Sequence, residues 1–171
     1  LEMGGKNPMV VMADAHLPTA VAACLNGAFF STGQRCTASS RLIVEDAIHD
    51  PFVAELSRQM NALRVGPALD AASQMGPVAS EGQLQGNLSY VALAAEEGCE
   101  VVGGERLNGP TEGYFQRPAL FVNARPKMRV VQEEIFGPCA AVIRVADFDE
   151  AVAVANDTVF GLSSGICTAS L

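Results

Sequence analysis

Short apolar runs rich in β-branched residues alternate along this chain with stretches of helical spacing, and that alternation leaves few architectures open. Pro8 to Met12, Arg41 to Glu45, Cys99 to Val102, Pro118 to Val122, Ala140 to Val145 and Gly161 to Thr168 read as strands. Between them, Val21, Leu25, Ala28 and Phe29 recur at the period of a helix whose first turn holds Pro18. Asp50-Pro51 reads as a cap and first-turn proline, opening a helix with Phe52, Leu56, Met60 and Leu63 on one face. A further helix, Glu81 to Glu97, turns Leu84, Leu88, Val91 and Ala95 inward and ends at Gly98. Residues 105 to 117 carry turn chemistry and read as an irregular excursion, and Asp147 to Asn156 reads as an amphipathic helix. Such alternation predicts an α/β fold, with a largely parallel sheet and helices on both faces.

The 171 residues suffice for one domain with a sizeable core, and no repeat, low-complexity tract or linker divides them. A net charge of −8 argues against a nucleic-acid surface, which needs clustered Lys and Arg. No apolar run approaches the roughly 20 residues of a membrane span. Five scattered cysteines without a Cys-x-x-Cys, and only His16 and His49, disfavour a disulfide framework or a metal site. A reducing, cytoplasmic setting is expected. The chain begins inside a motif and reads as a piece of a longer one.

Cys36 stands in the most chemically suggestive stretch, Phe29-Phe30-Ser31-Thr32-Gly33-Gln34-Arg35-Cys36-Thr37-Ala38-Ser39-Ser40-Arg41. A helix meets Gly33, small hydrogen-bonding residues surround the thiol, and a strand follows. This placement can present a sulfur to a cleft, with backbone N–H groups nearby to hold an oxyanion. The competing reading is a buried cysteine that acts as a small hydrophobe.

Phe-Phe-x-x-Gly-Gln-x-Cys resembles the cysteine signature of the aldehyde dehydrogenase superfamily. Leu1-Glu2-Met3-Gly4-Gly5-Lys6-Asn7-Pro8 resembles its glutamate signature, with Met3 where leucine is commoner. Glu133-Glu134-Ile135-Phe136-Gly137-Pro138 resembles its cofactor-side motif. The motifs stand in the family's order, and Glu2 and Cys36 at its usual separation.

The resemblance implies a catalytic, thiol-bearing domain over residues 1–171, with the cofactor-binding domain and the oligomerisation strand outside this chain. It implies Cys36 as nucleophile and Glu2 as the base that activates the hydrolytic water. Glu134 would accept hydrogen bonds from the nicotinamide ribose, with its neighbour Glu133 left as a solvated acid at a helix start. Phe136, Met3 and Gly4 would lie at the nicotinamide end, and Phe30 along the substrate tunnel. Lys6 reads equally well as half of a structural ion pair. The implied cofactor is NAD or NADP, bound mainly by the absent domain, and the partner a small-molecule aldehyde. The intact enzyme would be a homodimer or homotetramer, and no metal is implied. The cysteine stretch is most similar to bacterial 2-oxoglutarate semialdehyde (2,5-dioxopentanoate) dehydrogenases, with succinate semialdehyde and betaine aldehyde enzymes as alternatives. Arg35 either attracts an anionic substrate or points into the protein. A cysteine hydrolase is the rival enzyme class, weakened because neither histidine lies in a suitable motif. A non-catalytic domain that keeps only the fold is the other rival. Glu2 disfavours a coenzyme A-acylating variant.

Overall fold

The computed structural model describes residues 3–109 and 111–170. Its centre is a six-stranded sheet in the order β3-β4-β5-β2-β1-β6. The strands are β1 (Asn7–Val11), β2 (Ser39–Glu45), β3 (Glu100–Gly103), β4 (Ala119–Val122), β5 (Cys139–Val145) and β6 (Gly165–Cys167). All neighbours run parallel except β3 and β4, with Val10 beside Ile43 and Leu42 beside Val142 in the central registers. Five helices accompany them: α1 (Leu17–Phe29), α2 (Asp46–Asn61), α3 (Glu81–Glu96), α4 (Arg129–Gln132) and α5 (Phe148–Asn156).

Side chains alternate across each strand, so consecutive apolar residues supply two cores. Val11, Leu42, Val44, Leu120 and Val142 face α1 and α2, where Phe29, Phe52, Leu56 and Met60 are fully buried. Val10, Ile43, Phe121, Ala141 and Ile143 face the other way, toward Ala94, Val130, Val131, Ala151 and Val154 of α3, α4 and α5. α5 is capped at its start by a reciprocal pair. The Asp147 side chain accepts from the Glu150 N–H at 2.9 Å, and Glu150 Oε2 accepts from the Ala146 N–H at 2.6 Å. Among the described residues no helix is long and apolar enough to cross a membrane.

Three expectations need correction. α2 begins at Asp46, so Pro51 lies in its second turn and is not a first-turn residue. An interior proline costs about 3 kcal/mol. Each fully buried side chain of the Phe52, Leu56, Met60 stripe returns about 1.5–3 kcal/mol, so packing carries the helix through the proline. Asp50, freed from capping, bonds His49 and Arg144 instead. On α3 the inward face is Leu84, Asn87 and Ala94, and Ala95 is exposed; the stripe is rotated to admit a buried amide. Of the run from Gly161 to Thr168, only Gly165–Cys167 is strand. Residues 161–164 instead cross the entrance to β1, where the Ser163 N–H donates to Asn7 Oδ1 at 3.1 Å.

Arg41 of β2 is the largest polar side chain in the interior and is fully buried. Its guanidinium donates to three carbonyl oxygens: Lys6 at 2.7 Å, Val154 at 2.9 Å and Ala155 at 2.8 Å. It thus closes the last turn of α5 and ties it to the start of β1. Arg41→Leu is expected to destabilise the fold by about 3–5 kcal/mol, since three acceptors lose their donor. Arg41→Lys recovers less than half, because one ammonium cannot span the three carbonyls. Urea denaturation of the 171-residue chain measures both; a loss below 1 kcal/mol for Leu shows the guanidinium to be dispensable.

Candidate active site

The segments entering β1, β2 and β5 share one edge of the sheet, because these strands are parallel. Residues 3–6, the cysteine segment and residues 133–138 therefore come together although far apart in sequence. α1 stops at Phe29, and Ser31, Thr32 and Gly33 all take positive φ angles of 56°, 59° and 62°. This left-handed excursion is braced from the 76–79 loop. Thr32 Oγ1 donates to the Gly76 and Pro77 carbonyls at 3.4 Å, and the Ala79 N–H donates to Gln34 Oε1 at 3.0 Å. The chain then turns, with the Ala38 N–H donating to the Arg35 carbonyl at 2.9 Å, and Cys36 lies exposed in that turn.

The other thiols are shut away. Cys24, Cys99 and Cys139 are buried and Cys167 is half-buried. Burial raises the pKa of each above the ordinary thiol value, pushing Cys139 up to about 12. They are held as thiols, and the thiolate is the nucleophile. Exposure and context select Cys36.

Gly5 is where the three segments meet. Its N–H donates to Glu134 Oε1 at 2.7 Å. A Cβ on Gly5 would stand 2.6 Å from the Cys36 carbonyl oxygen, so only glycine fits. Asn7 fastens the same carbonyl, donating from Nδ2 to Cys36 O at 2.7 Å and Ala38 O at 2.9 Å. Gly4, at φ +58°, has its open side 3.0 Å from Glu134 Oε2. Met3 is exposed beside it. Phe136 also takes a positive φ, 57°, an uncommon state for an aromatic residue, and its ring is 37% exposed rather than in the core. Phe30 is half-buried against the α1–α2 core. Glu2 lies outside the described residues.

Several roles read from the sequence change. Glu133 is partly exposed but engaged, and it is not at a helix start. It follows the C-terminus of α4, where Arg129 donates from Nε at 2.7 Å and Tyr90 from its hydroxyl at 2.7 Å. Those bonds, Arg129's first, hold its carboxyl below the usual range. Arg35 turns back from the thiol, with Nη2 donating to the Asn26 carbonyl at 2.6 Å and the Gly27 carbonyl at 3.2 Å. It caps the C-terminus of α1, where exposed carbonyls favour a cation. Lys6 forms no ion pair among the described residues. It is 1% exposed, and its Nζ has no hydrogen-bond partner there. A cavity of about 600 Å³ is lined by Lys6, Arg41, α5 and residues 160–166; Cys36 does not line it.

Residues 1–171 match the aldehyde dehydrogenase family. The chain belongs to that family. It is 45% identical over 174 residues to the alpha-ketoglutaric semialdehyde dehydrogenase of Bacillus subtilis, covering 100% of this chain and 36% of that protein. It is 42% identical over 169 residues to a betaine aldehyde dehydrogenase of the same organism, covering 97% and 34%. Among solved structures, the 1-pyrroline-5-carboxylate dehydrogenase from Thermus with bound NAD superposes with a TM-score of 0.93 at 39% identity, over 99% of this chain and 32% of that one. The chain spans about a third of the length of such relatives. The α/β fold of this aldehyde dehydrogenase family chain is thus shared closely with its relatives.

Lys6 yields a prediction. Burial, reinforced by Arg41 and opposed by Cys139 and Glu134, pulls its pKa down to about 7 from 10.5. Below pH 7 both folded and unfolded chains carry the proton, and the fold bears the full cost of a buried ammonium. From about pH 7 to 10.5 the unfolded chain holds the extra proton, so this penalty fades as pH rises. Lys6→Met is expected to stabilise the chain at pH 6 by on the order of 3 kcal/mol, a gain that shrinks steadily toward pH 10. Thermal melts across pH give the measurement. A gain that grew with pH would contradict this account.

Proposed function

We propose that this chain is the thiol-bearing catalytic domain of an NAD(P)-dependent aldehyde dehydrogenase that converts an aldehyde to its carboxylic acid. The observation that carries the reading is the convergence on Gly5 of the exposed Cys36 turn and the Glu134 carboxylate.

An aldehyde carbon gives up hydride poorly until its oxygen bears negative charge. Attack by the Cys36 thiolate forms a tetrahedral thiohemiacetal whose oxyanion drives the hydride out. Among the described residues the Cys36 N–H donates to no backbone carbonyl, so it is available to the oxyanion. The thioester left on Cys36 is hydrolysed by water, with Glu2 as the general base that takes its proton. Phe30, half-buried against the α1–α2 core, is read as lining the approach of the substrate.

The residues present fit a nicotinamide nucleotide. Gly4 keeps a Cβ out of the space beside the Glu134 carboxylate, and Phe136, two residues on, is exposed with its backbone in a left-handed state. Glu134, with Oε1 fixed by the Gly5 N–H, accepts from ribose hydroxyls, while Met3, Gly4 and Phe136 border the nicotinamide end. The dinucleotide, when bound, supplies the hydride acceptor; most of its binding surface belongs to a domain beyond this chain, so residues 1–171 alone are expected to carry a reactive thiol without turnover.

Among aldehydes, a semialdehyde such as 2-oxoglutarate semialdehyde is the proposed substrate. The 45% identity to semialdehyde dehydrogenases of Bacillus subtilis and Haloferax volcanii supports this choice. Arg35 is engaged with α1 and does not serve as the carboxylate's partner. The five free cysteines suit a reducing cytoplasm, and the intact enzyme is read as a homodimer or homotetramer. Ranking kcat/KM for 2-oxoglutarate, succinate and betaine aldehydes tests the substrate.

In the intact enzyme, Cys36→Ala is expected to lower aldehyde oxidation by roughly three orders of magnitude or more, with cofactor binding nearly unchanged. Steady-state rates within tenfold of the parent enzyme would sink the assignment. Glu134→Ala is expected to cost about 1–3 kcal/mol in cofactor binding or positioning and leave alkylation of Cys36 at its original rate. Unchanged affinity together with unchanged hydride transfer, in titration and stopped-flow experiments, would make Glu134 a surface acid.

A further inference from the structure

Gly137 ends the segment that carries Glu134 and Phe136, and it is held from two sides. On one side its carbonyl lies against Gly33 of the cysteine segment, where a Cβ on Gly33 would collide with it. On the other, the space a Cβ of Gly137 would need is taken by the carboxamide of Asn87 from α3.

Asn87 is fully buried on an otherwise apolar helix face, and a buried amide must be bonded to be tolerated. Its Nδ2 donates to Gln116 Oε1 at 2.9 Å, and its Oδ1 accepts from Gln83 Nε2 at 2.8 Å. Gln83 Nε2 also donates to the Ile135 carbonyl at 2.8 Å. Gln116, itself fully buried, donates from Nε2 to the Gly104 carbonyl at 3.3 Å, which anchors the far end beside β3. A run of amide groups therefore starts at β3, passes through Asn87 and ends on the backbone between Glu134 and Phe136.

The backbone so held is under strain. Phe136 sits at φ +57°, which a free chain would abandon at a gain, so surrounding contacts must enforce it. Ile135, on one side, is fixed through Gln83. Gly137, on the other, is wedged between Asn87 and Gly33.

We propose that Asn87 is a positioning residue: its carboxamide sets the backbone of residues 135–137, and through it the aim of the Glu134 carboxylate and the Phe136 ring at the nicotinamide ribose. This rests on the reading of Glu134 given above. Asn87 touches neither thiol nor cofactor. Its removal lets Gly137 drift into the vacated space and Phe136 relax, which misdirects the carboxylate while its chemistry stays intact. The wedge also explains why a polar residue occupies a helix face that packing would fill with leucine.

The experiment compares Asn87→Ala, Asn87→Asp and Glu134→Ala in the intact enzyme. NAD affinity is measured by titration, hydride transfer by stopped flow, and Cys36 alkylation and Tm are followed alongside. Asn87→Ala is expected to weaken NAD binding about tenfold and slow hydride transfer, with the alkylation rate within twofold. Asn87→Asp keeps the wedge's size and the acceptor for Gln83, and is expected to restore most of that affinity even where its Tm stays low. A merely structural residue would lower Tm in both variants and leave NAD affinity alone. That pattern, or an Asp variant as impaired in binding as Ala, overturns the proposal. If Asn87→Ala does not fold, Asn87→Ser takes its place: a tenfold loss of NAD affinity with Cys36 alkylation within twofold supports the proposal, and unchanged NAD affinity overturns it. Should Glu134→Ala leave affinity and hydride transfer untouched, the ribose reading itself fails and the positioning role falls with it, a result distinct from failure of Asn87 alone.

Discussion

No side chain fits between the Cys36 carbonyl and the backbone at Gly5, and the arrangement of the site depends on that closeness. The Gly5 N–H, left facing the third segment, takes the Glu134 carboxylate at 2.7 Å. One small residue thereby brings the Cys36 turn and the Glu134 carboxylate onto the same edge of the sheet. A second close approach, Gly33 against the Gly137 carbonyl, repeats the principle between the cysteine segment and residues 133–138. Backbone packed directly on backbone is rigid, because there are no rotamers to change. That rigidity suits a reaction in which sulfur, carbonyl carbon and acceptor must keep a fixed spacing.

The parallel sheet makes this meeting possible. In parallel strands every amino end lies on one side, so the segments leading into β1, β2 and β5 converge without any long loop. The convergence leaves unpaired polar groups at the strand entrances, and buried side chains answer them. Asn7 bridges the Cys36 and Ala38 carbonyls, and Arg41 gathers the carbonyls of Lys6, Val154 and Ala155. Each uses several donors in fixed geometry, which a lysine or a hydroxyl cannot match. Lys6 is the exception. Its ammonium is buried beside these groups without a hydrogen bond among the described residues, and its lowered pKa reflects that cost.

The division between helix faces follows from the same economy. The α1–α2 face is almost wholly apolar, and its helices deliver the cysteine segment by packing. The α3 face admits Asn87 because Gln83 and Gln116 satisfy it, and that polar insertion holds the Glu134 segment. One face carries the thiol on a hydrophobic footing, and the other carries the carboxylate on a hydrogen-bonded one.

The local pattern by itself determined the fold class, most strand positions, Gly98 at the end of α3, and Cys36 as the thiol of interest. Those features are local: apolar periodicity, a glycine after a helix, a cysteine among small residues after a glycine. Three motifs in order pointed to the family as well. Tertiary structure decided the rest. Pro51 became a mid-helix residue because a buried stripe on α2 outweighed it, which no dipeptide signal reports. Asn87 faced inward, and Ala95 outward, because Gln83 one turn earlier and Gln116 from the segment before β4 supply its bonds. Arg35 pointed away from the thiol because the carbonyls ending α1 lie behind it. Glu133 and Glu134, identical in sequence, parted when the first met Arg129 and Tyr90 and the second met the Gly5 N–H. Partners that determine a polar side chain's role come from elsewhere in the chain, and only folding chooses them.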